Sequence, residues 1–387
     1  MLLLHTADWH VGKTLKGRSR LEEQRAVLAE ITGIALNRQV DAVLLAGDVF
    51  DSAAPTADAQ RVVYETLLTL ARAGIEVIVI AGNHDHARTF EALRDLMAQV
   101  GIEYAGRLSP ATAGGVHRFT ARSTGERAVV ALLPFLSRRG IIGAAEIVTG
   151  TESANAGRYE ESIRAILAGL AGGFSPETVN LVLAHLTTTG GVMGGGEREA
   201  QTIMEYHVSP AVFPPTTQYV ALGHLHRRQQ IQGPGFVPIH YAGAPLAVDF
   251  GEESHTPVVC LVEVAPGSRA RVTDVPLAQG RRLRTVTGTV EELVAGAPYD
   301  GDYLRVVVRE PTRAGLRDDI LAALPDALEI RIHPDFQAHH ERRRADHMAR
   351  SPHDLFVDYC AEAGLADPRL TALFDELLEE SNATSPA

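Results

Sequence analysis

The chain opens on an apolar run that closes in polar residues, MLLLHTADWH, and that texture recurs along most of its length. DAVLLAGD, IEVIVIAGNHD, RAVVALLPF, VNLVLAHL, YVALGHLH and PVVCLVEV are short runs rich in Val, Ile and Leu, and they read as buried strands. Between them, apolar residues three and four apart predict helices over about residues 21–37, 58–73, 89–100 and 158–171. The alternation predicts an α/β layered domain over residues 1–275, its strands covered on both faces. A miniature strand-helix-strand-helix-strand pattern then fills residues 281–333 and predicts a small α+β domain. Residues 335–380 are charged at first (DFQAHHERRRADHMAR) and then amphipathic, which predicts a helical C-terminus; the tail 381–387 is expected to be disordered. Within the helical region Leu355, Phe356 and Tyr359 form one apolar cluster, and Leu370, Leu373, Phe374, Leu377 and Leu378 form another. Their spacing puts each cluster on one helix face, a surface suited to a partner's groove or to the chain's own small domain.

The 387 residues are 45% hydrophobic and 22% charged, as in an ordinary soluble protein of two or three domains. No apolar run nears the roughly 20 residues of a membrane span, and the N-terminus has no basic region of the signal-peptide kind. A cytoplasmic protein is the expectation. Cys260 and Cys360 are the only cysteines, which excludes a disulfide framework and a cysteine-based zinc site. A net charge of −12 argues against nucleic acid as a partner, unless metal ions supply the positive charge where phosphate binds. The stretch VGKTLKGRSR runs the other way, with Lys13, Lys16, Arg18 and Arg20 and no acid. It reads equally as a set of phosphate contacts or as a solvated loop.

Five strands end in one kind of chemistry. Asp8 and His10 follow the first; Asp48 and Asp51 lie in GDVFD; Asn83, His84 and Asp85 lie in GNHD; His185 ends another strand, and His224 and His226 lie in GHLH. Open α/β sheets bind ligands at the carboxyl ends of their strands, so five such ends converge on one place. Each motif alone is weak, because a single histidine at a strand end is usually structural. Together, Asp, Asn and His give enough oxygen and nitrogen donors for two divalent ions. The glycines before Asp48, Asn83 and His224 allow tight turns that swing each donor inward. Glycines in 190–196, just after His185, suggest a mobile loop over the site. Asp85 is read as a supporting residue, His5 and His240 as strand packing, and Trp9 as either packing or base stacking.

In that order, DxH, GDxxD, GNHD, H and GHxH resemble the calcineurin-like metallophosphoesterase superfamily across about the first 250 residues. HTADWHVGK, LLAGDVFDSAAP, VIAGNHD, GHLH and YAGAPLAVDF, with the small domain and helical C-terminus, resemble the SbcD-type DNA-repair nucleases within it. The resemblance implies a β-sandwich flanked by helices, with the small α+β domain as a cap. It implies two metal ions, Mn²⁺ by preference: one on Asp8, His10, Asp48 and His226, the other on Asp48, Asn83, His185 and His224, with Asp48 bridging. It further implies that His84 is catalytic, protonating the leaving 3′ oxygen, with Asp51 orienting it; archaeal and eukaryotic relatives carry His at the position of Asp51. The activity implied is 3′-to-5′ exonuclease on duplex DNA and endonuclease on single strands and hairpins. The expected partners are DNA and an SbcC-type, SMC-like ATPase gripped by the C-terminal helices, in a heterotetramer holding two copies of this chain at the nucleoid. Two other functions compete. A phosphomonoesterase would share the fold, but such enzymes continue GDxxD with Arg-Gly where this chain has Ser52-Ala53. A metal-stabilised scaffold without catalysis would not need His84 beside a full ligand set.

Overall fold

The computed structural model describes residues 1–137, 159–197, 207–233, 237–296, 301–336, 352–362 and 367–384, with the single residues 235, 299 and 365. Two compact units emerge: Met1–Arg284 with Gly301–Tyr303, and Thr285–Asp300 with Leu304–Ala387.

The first unit is a sandwich of two six-stranded sheets. In one, the strands run edge to edge as Arg271–Pro276, Val258–Glu263, Leu2–Thr6, Ala42–Leu45, Glu76–Ile80 and Ile102–Ala105. In the other they run Gln229–Ile231, Ile239–Tyr241, Tyr219–Gly223, Val179–His185, Arg127–Leu133 and Val116–Thr120. Every central pairing is parallel: Leu2–Thr6 with Ala42–Leu45, Ala42–Leu45 with Glu76–Ile80, and Val179–His185 with both its neighbours. Their carboxyl ends therefore all point one way within each sheet.

Strand alternation sorts the side chains into three layers. Leu3, Leu44, Ile78 and Ile80 of the first sheet meet Val130, Leu132, Leu183 and Ala221 of the second between the sheets. Their sequence neighbours Leu4, Val43, Leu45, Val77 and Val79 face outward, onto the helices Leu21–Asn37 and Ala57–Arg72 through Val27, Leu28, Ile31, Val63 and Leu67. On the other side Ala131, Leu133, Val182 and Val220 pack on Ile163, Ile166 and Leu167 of the helix Tyr159–Leu170. Burial on both faces explains why these strands read as unbroken apolar runs.

The second unit holds a three-stranded sheet, Leu283–Gly288, Tyr303–Val308 and Ala327–Ile332, with the helices Val290–Ala295 and Leu316–Ala323. Leu293, Leu304, Val306, Val308, Leu316 and Ile320 form its core. Thr289 and Glu292 make a reciprocal capping box that fixes where the first of these helices begins. Two further helices follow, Pro352–Glu362 and Pro368–Thr384, joined by the Phe356 ring lying flat on Phe374 at 4.1 Å. The second runs to Thr384. The charged stretch preceding these helices, 337–351, lies outside the described residues.

Candidate metal centre

Adjacent parallel strands of the two sheets deliver the donors to one place. Leu2–Thr6, Ala42–Leu45 and Glu76–Ile80 lead into Asp8 and His10, Asp48, and Asn83 and His84; Val179–His185 and Tyr219–Gly223 lead into His185, His224 and His226. Beyond the sheet the first two loops stay paired, the N–H groups of Asp8, His10 and Val11 donating to the carbonyls of Gly47, Asp48 and Val49, each at 3.0 Å. Asp8, His10, Asp48 and His224 all have positive φ, at 53°, 44°, 50° and 102°. That conformation is strained for a residue with a side chain, and strain of this kind gathers at functional sites. Gly47 does turn left-handed, at φ 87°. Gly82 and Gly223 serve differently, since a Cβ there would overlap Asp48 and the Ala46 carbonyl; they are small so that loops from different strands can touch.

The donors fall into interlocking groups. Asp8, His10 and His226 bring one atom each within 4.8 Å of one another, as do Asp48, His185 and His224, and Asp48 stands with His10 and His84 in a third group. Asn83 Oδ1 lies 2.9 Å from His185 Nε2 and 2.7 Å from His224 Nδ1. All seven residues expected as ligands are thus brought together, with Asp48 in the middle. Asp48 Oδ1 accepts the His84 N–H at 2.8 Å, and its Oδ2 is 3.6 Å from both His10 Nε2 and His185 Nε2.

The electrostatics suit cations. Asp8 Oδ2 is buried with no hydrogen-bond partner among the described residues. His10 Nε2 faces His226 Nε2 at 3.1 Å, while His226 Nδ1 donates to Glu252 at 2.6 Å, so two buried ring nitrogens are turned on one another. Burial, reinforced by the Asp48 charge, pushes the Asp8 carboxyl well above the usual carboxylate range. For Asp48 burial acts the same way, but His185, His10 and His84 outweigh it and hold the carboxyl low. Burial, then His185, presses His224 down to about 3. Leaving Asp8 Oδ2 and His10 Nδ1 buried without hydrogen-bond partners among the described residues is unfavourable; divalent ions on these mixed oxygen and nitrogen donors would lower the cost of burying such a set.

His84 stands beside the group with its Nδ1 donating to the Asp51 main-chain carbonyl at 2.7 Å. The contact that Asp51 makes with His84 is thus through its main chain, where its carboxylate was expected. The Asp51 carboxylate is 3.8 Å from His84 Nδ1 but 3.2 Å from Lys13 Nζ and 3.6 Å from His10 Nδ1. Against the burial that would raise it, His10 and Lys13 hold this carboxyl at about 2.

The basic stretch divides in two. Lys16 and Arg18 are exposed on a small hairpin, Thr14–Leu15 with Arg18–Ser19. Arg20 does not join them. It is 2% exposed, bonded to Glu23 and to the carbonyls of Ala247 and Arg281, so it is an internal strut and not a phosphate contact. Trp9 packs in the core with its indole N–H on Thr6, His5 bonds Tyr219, and His240 sits against Arg228 and the Tyr219 ring.

Sequence motifs left several contributors unmarked. Gln24, on the first helix, donates to the His10 carbonyl and accepts from Gly12, each at 2.9 Å. Glu252 accepts from His226, and Glu197 accepts the His226 N–H at 3.0 Å together with those of Gly194 and Gly195. The glycine-rich loop is thus fastened at its end. Glu252 sits two residues past the end of YAGAPLAVDF, where no local pattern marks it. Asp85 accepts from the N–H groups of Gly82, Val49 and Phe50, tying two ligand loops together in the supporting role expected of it.

Comparison with known proteins agrees with this geometry. Residues 1–228 match the calcineurin-like phosphoesterase family. Over 287 residues the chain is 37% identical to the D subunit of the SbcCD nuclease of Rhodobacter capsulatus, covering 71% of this chain and 69% of that one. It is 36% identical over 286 residues to the corresponding protein of Bacillus subtilis (73% and 71%), and 29% identical over 357 residues to that of Escherichia coli K12 (91% and 82%). The chain is a metal-dependent hydrolase that belongs to the calcineurin-like phosphoesterases and, within them, to the family of SbcCD nuclease D subunits.

Proposed function

We propose that this protein is a Mn²⁺-dependent DNA nuclease working with an SbcC-type ATPase, cutting duplex ends as a 3′-to-5′ exonuclease and single strands and hairpins as an endonuclease. The observation that carries it is the shared Asp48, which stands between two sets of buried donors with His84 beside it. Two ions held there would clamp the phosphodiester and activate a water for in-line attack. The chain's own residues supply the rest. Because the Asp51 carbonyl can only accept, His84 Nδ1 carries a hydrogen, and Nε2 is the nitrogen assigned to the substrate. A protonated His84 stabilises the charge growing on the phosphoryl oxygens and hands its proton to the departing 3′ oxygen. The Asp48 carboxylate, holding the His84 N–H, fixes the backbone of that acid against the ligand set. Exposed Lys16 and Arg18 supply phosphate contacts on a protein that is otherwise acidic.

The partner reading rests on the relatives' assignment to a two-subunit nuclease and on the last two helices. Tyr359, Leu370, Leu373 and Leu377 of those helices are all exposed. The complex would hold two copies of each subunit and act at the nucleoid; no helix among the described residues is long and apolar enough to cross a membrane. Incubating the purified chain with Mn²⁺ and a linear duplex, a hairpin or a phosphomonoester tests the reading. Cleavage of both DNA substrates is expected, and hydrolysis of the monoester alone would overturn it.

A further inference from the structure

The two halves of the centre are supported in different ways. Behind His226 stands Glu252, 1% exposed, with Oε1 on His226 Nδ1 at 2.6 Å and Oε2 on the Val248 N–H at 2.7 Å. Both carboxylate oxygens are used, so the group cannot rotate away. Glu197 brings a second carboxylate to the same histidine, through the main-chain N–H at 3.0 Å. Gly194 and Gly196 close over the pair, where a side chain would press on His226 or overlap Glu252. On the other side of Asp48 a carboxylate reaches only the main chain, Asp8 Oδ1 accepting the His224 N–H at 2.9 Å, and the ring nitrogens have neutral partners. His185 Nδ1 donates to the Ala46 carbonyl at 2.7 Å, and the carboxamide of Asn83 stands there in place of a second carboxylate.

We propose that Glu252 is a positioning residue that fixes His226 with its Nε2 toward Asp8 and His10, and thereby makes that position the tighter of the two metal positions. The inference rests on the two-metal reading above. A carboxylate behind a ligating imidazole sets its tautomer and raises its basicity, and removing such a partner usually costs 10–100-fold in metal affinity. Ligand charge acts in the same direction. Asp48 is common to both positions and cannot discriminate between them. Asp8 as a ligand, and Glu252 behind a ligand's ring, serve one side only; among the described residues the partner behind the His185 ring is the neutral Ala46 carbonyl.

Glu252→Gln isolates the effect with little change of shape. A glutamine that turns its oxygen to His226 Nδ1 presents its NH₂ to the Val248 N–H, donor against donor. Turned the other way, it donates to Nδ1 and drives the ring hydrogen onto Nε2, where it blocks ligation. The test is calorimetric titration of the metal-free full-length chain with Mn²⁺, beside the melting temperature of the same metal-free samples. The wild-type chain is expected to bind two ions of unequal affinity. In Glu252→Gln the tighter affinity should fall about 10–100-fold, while the weaker one stays as in wild type and the metal-free chain still melts cooperatively, at a temperature lowered only by the lost Val248 contact. Glu252→Asp, which keeps the charge, should recover part of the loss. Two unchanged affinities, or an equal fall in both, would overturn the role given to Glu252. A wild-type chain that takes up a single ion would remove the two-metal reading itself.

Discussion

The sandwich and the C-terminal helices treat apolar residues in opposite ways. In the first unit each central strand is covered on both faces, and the donors at the strand ends are buried with their loops bonded to one another. In the last two helices one aromatic pair, Phe356 on Phe374, joins one helix to the other, while Leu373 and Leu377 remain 52% and 56% exposed. On the function proposed above, the difference separates two jobs. Buried donors must be fixed before a metal and substrate arrive, because misplaced ligands lose the geometry of the reaction. Exposed leucines on a helix face carry no chemistry, and a row of them is what a helix offers a partner's groove.

The sharpest way to break the comparison is to damage one region and look for effects in the other. Asp48→Ala has the largest expected effect: it removes the shared carboxylate, so bound Mn²⁺ should fall below two ions per chain and turnover should vanish. Circular dichroism should still show a folded domain, and two retained ions with full activity would contradict the assignment. His84→Gln should keep both ions and lower DNA cleavage by about 10²–10⁴. Loss of an ion in that variant would make His84 a ligand. Leu373→Glu with Leu377→Glu should leave metal content and the ATPase-free cleavage of single strands at wild-type levels, while weakening SbcC binding by about 30-fold or more, as expected when interface anchors are removed. A drop in metal content there would show that the two regions are not separate.

The gathering of these side chains was legible because five apolar runs in one chain end in Asp, Asn or His, and the set points to one place where any single motif would not. The same logic found the helices to within a residue or two. The edge strand Arg271–Pro276 was not legible, since its residues are exposed or half-buried and show no apolar face. Arg20 misled for a tertiary reason: its basic neighbours are on the surface, and only the fold brings Glu23 and two carbonyls around it. Spacing points to Asp51, but it cannot tell whether the carboxylate or the carbonyl of that residue meets His84. Glu252 approaches His226 across a loop from 26 positions away, a pairing that only the folded chain makes.

A smaller effect separates stability from chemistry. His117, far along the chain from any ligand, bonds Glu76 at 2.7 Å and lies 3.3 Å from Glu103. Burial opposes its charge, but the hydrogen bonds to Glu103 and Glu76 prevail and raise its pKa from 6.5 to about 9. A pKa raised by folding adds stability that is complete below the unfolded value and lost as pH climbs through the folded one. The melting temperature of the wild-type chain should therefore exceed that of His117→Gln near pH 6 and approach it by pH 9 and above. The smallest change expected is in DNA binding. Lys16→Gln with Arg18→Gln should flatten the salt dependence by about 0.9 for each phosphate no longer neutralised, and Arg20→Gln should instead lower the melting temperature.

The central claim is that one shared carboxylate joins two metal positions at the meeting of the sheets, and anomalous diffraction from a Mn²⁺-soaked crystal tests it most directly. Two peaks are expected, one on Asp8, His10 and His226 and one on Asn83, His185 and His224, both touching Asp48, with His84 bound to neither. A single peak, or a peak ligated by His84, would contradict it.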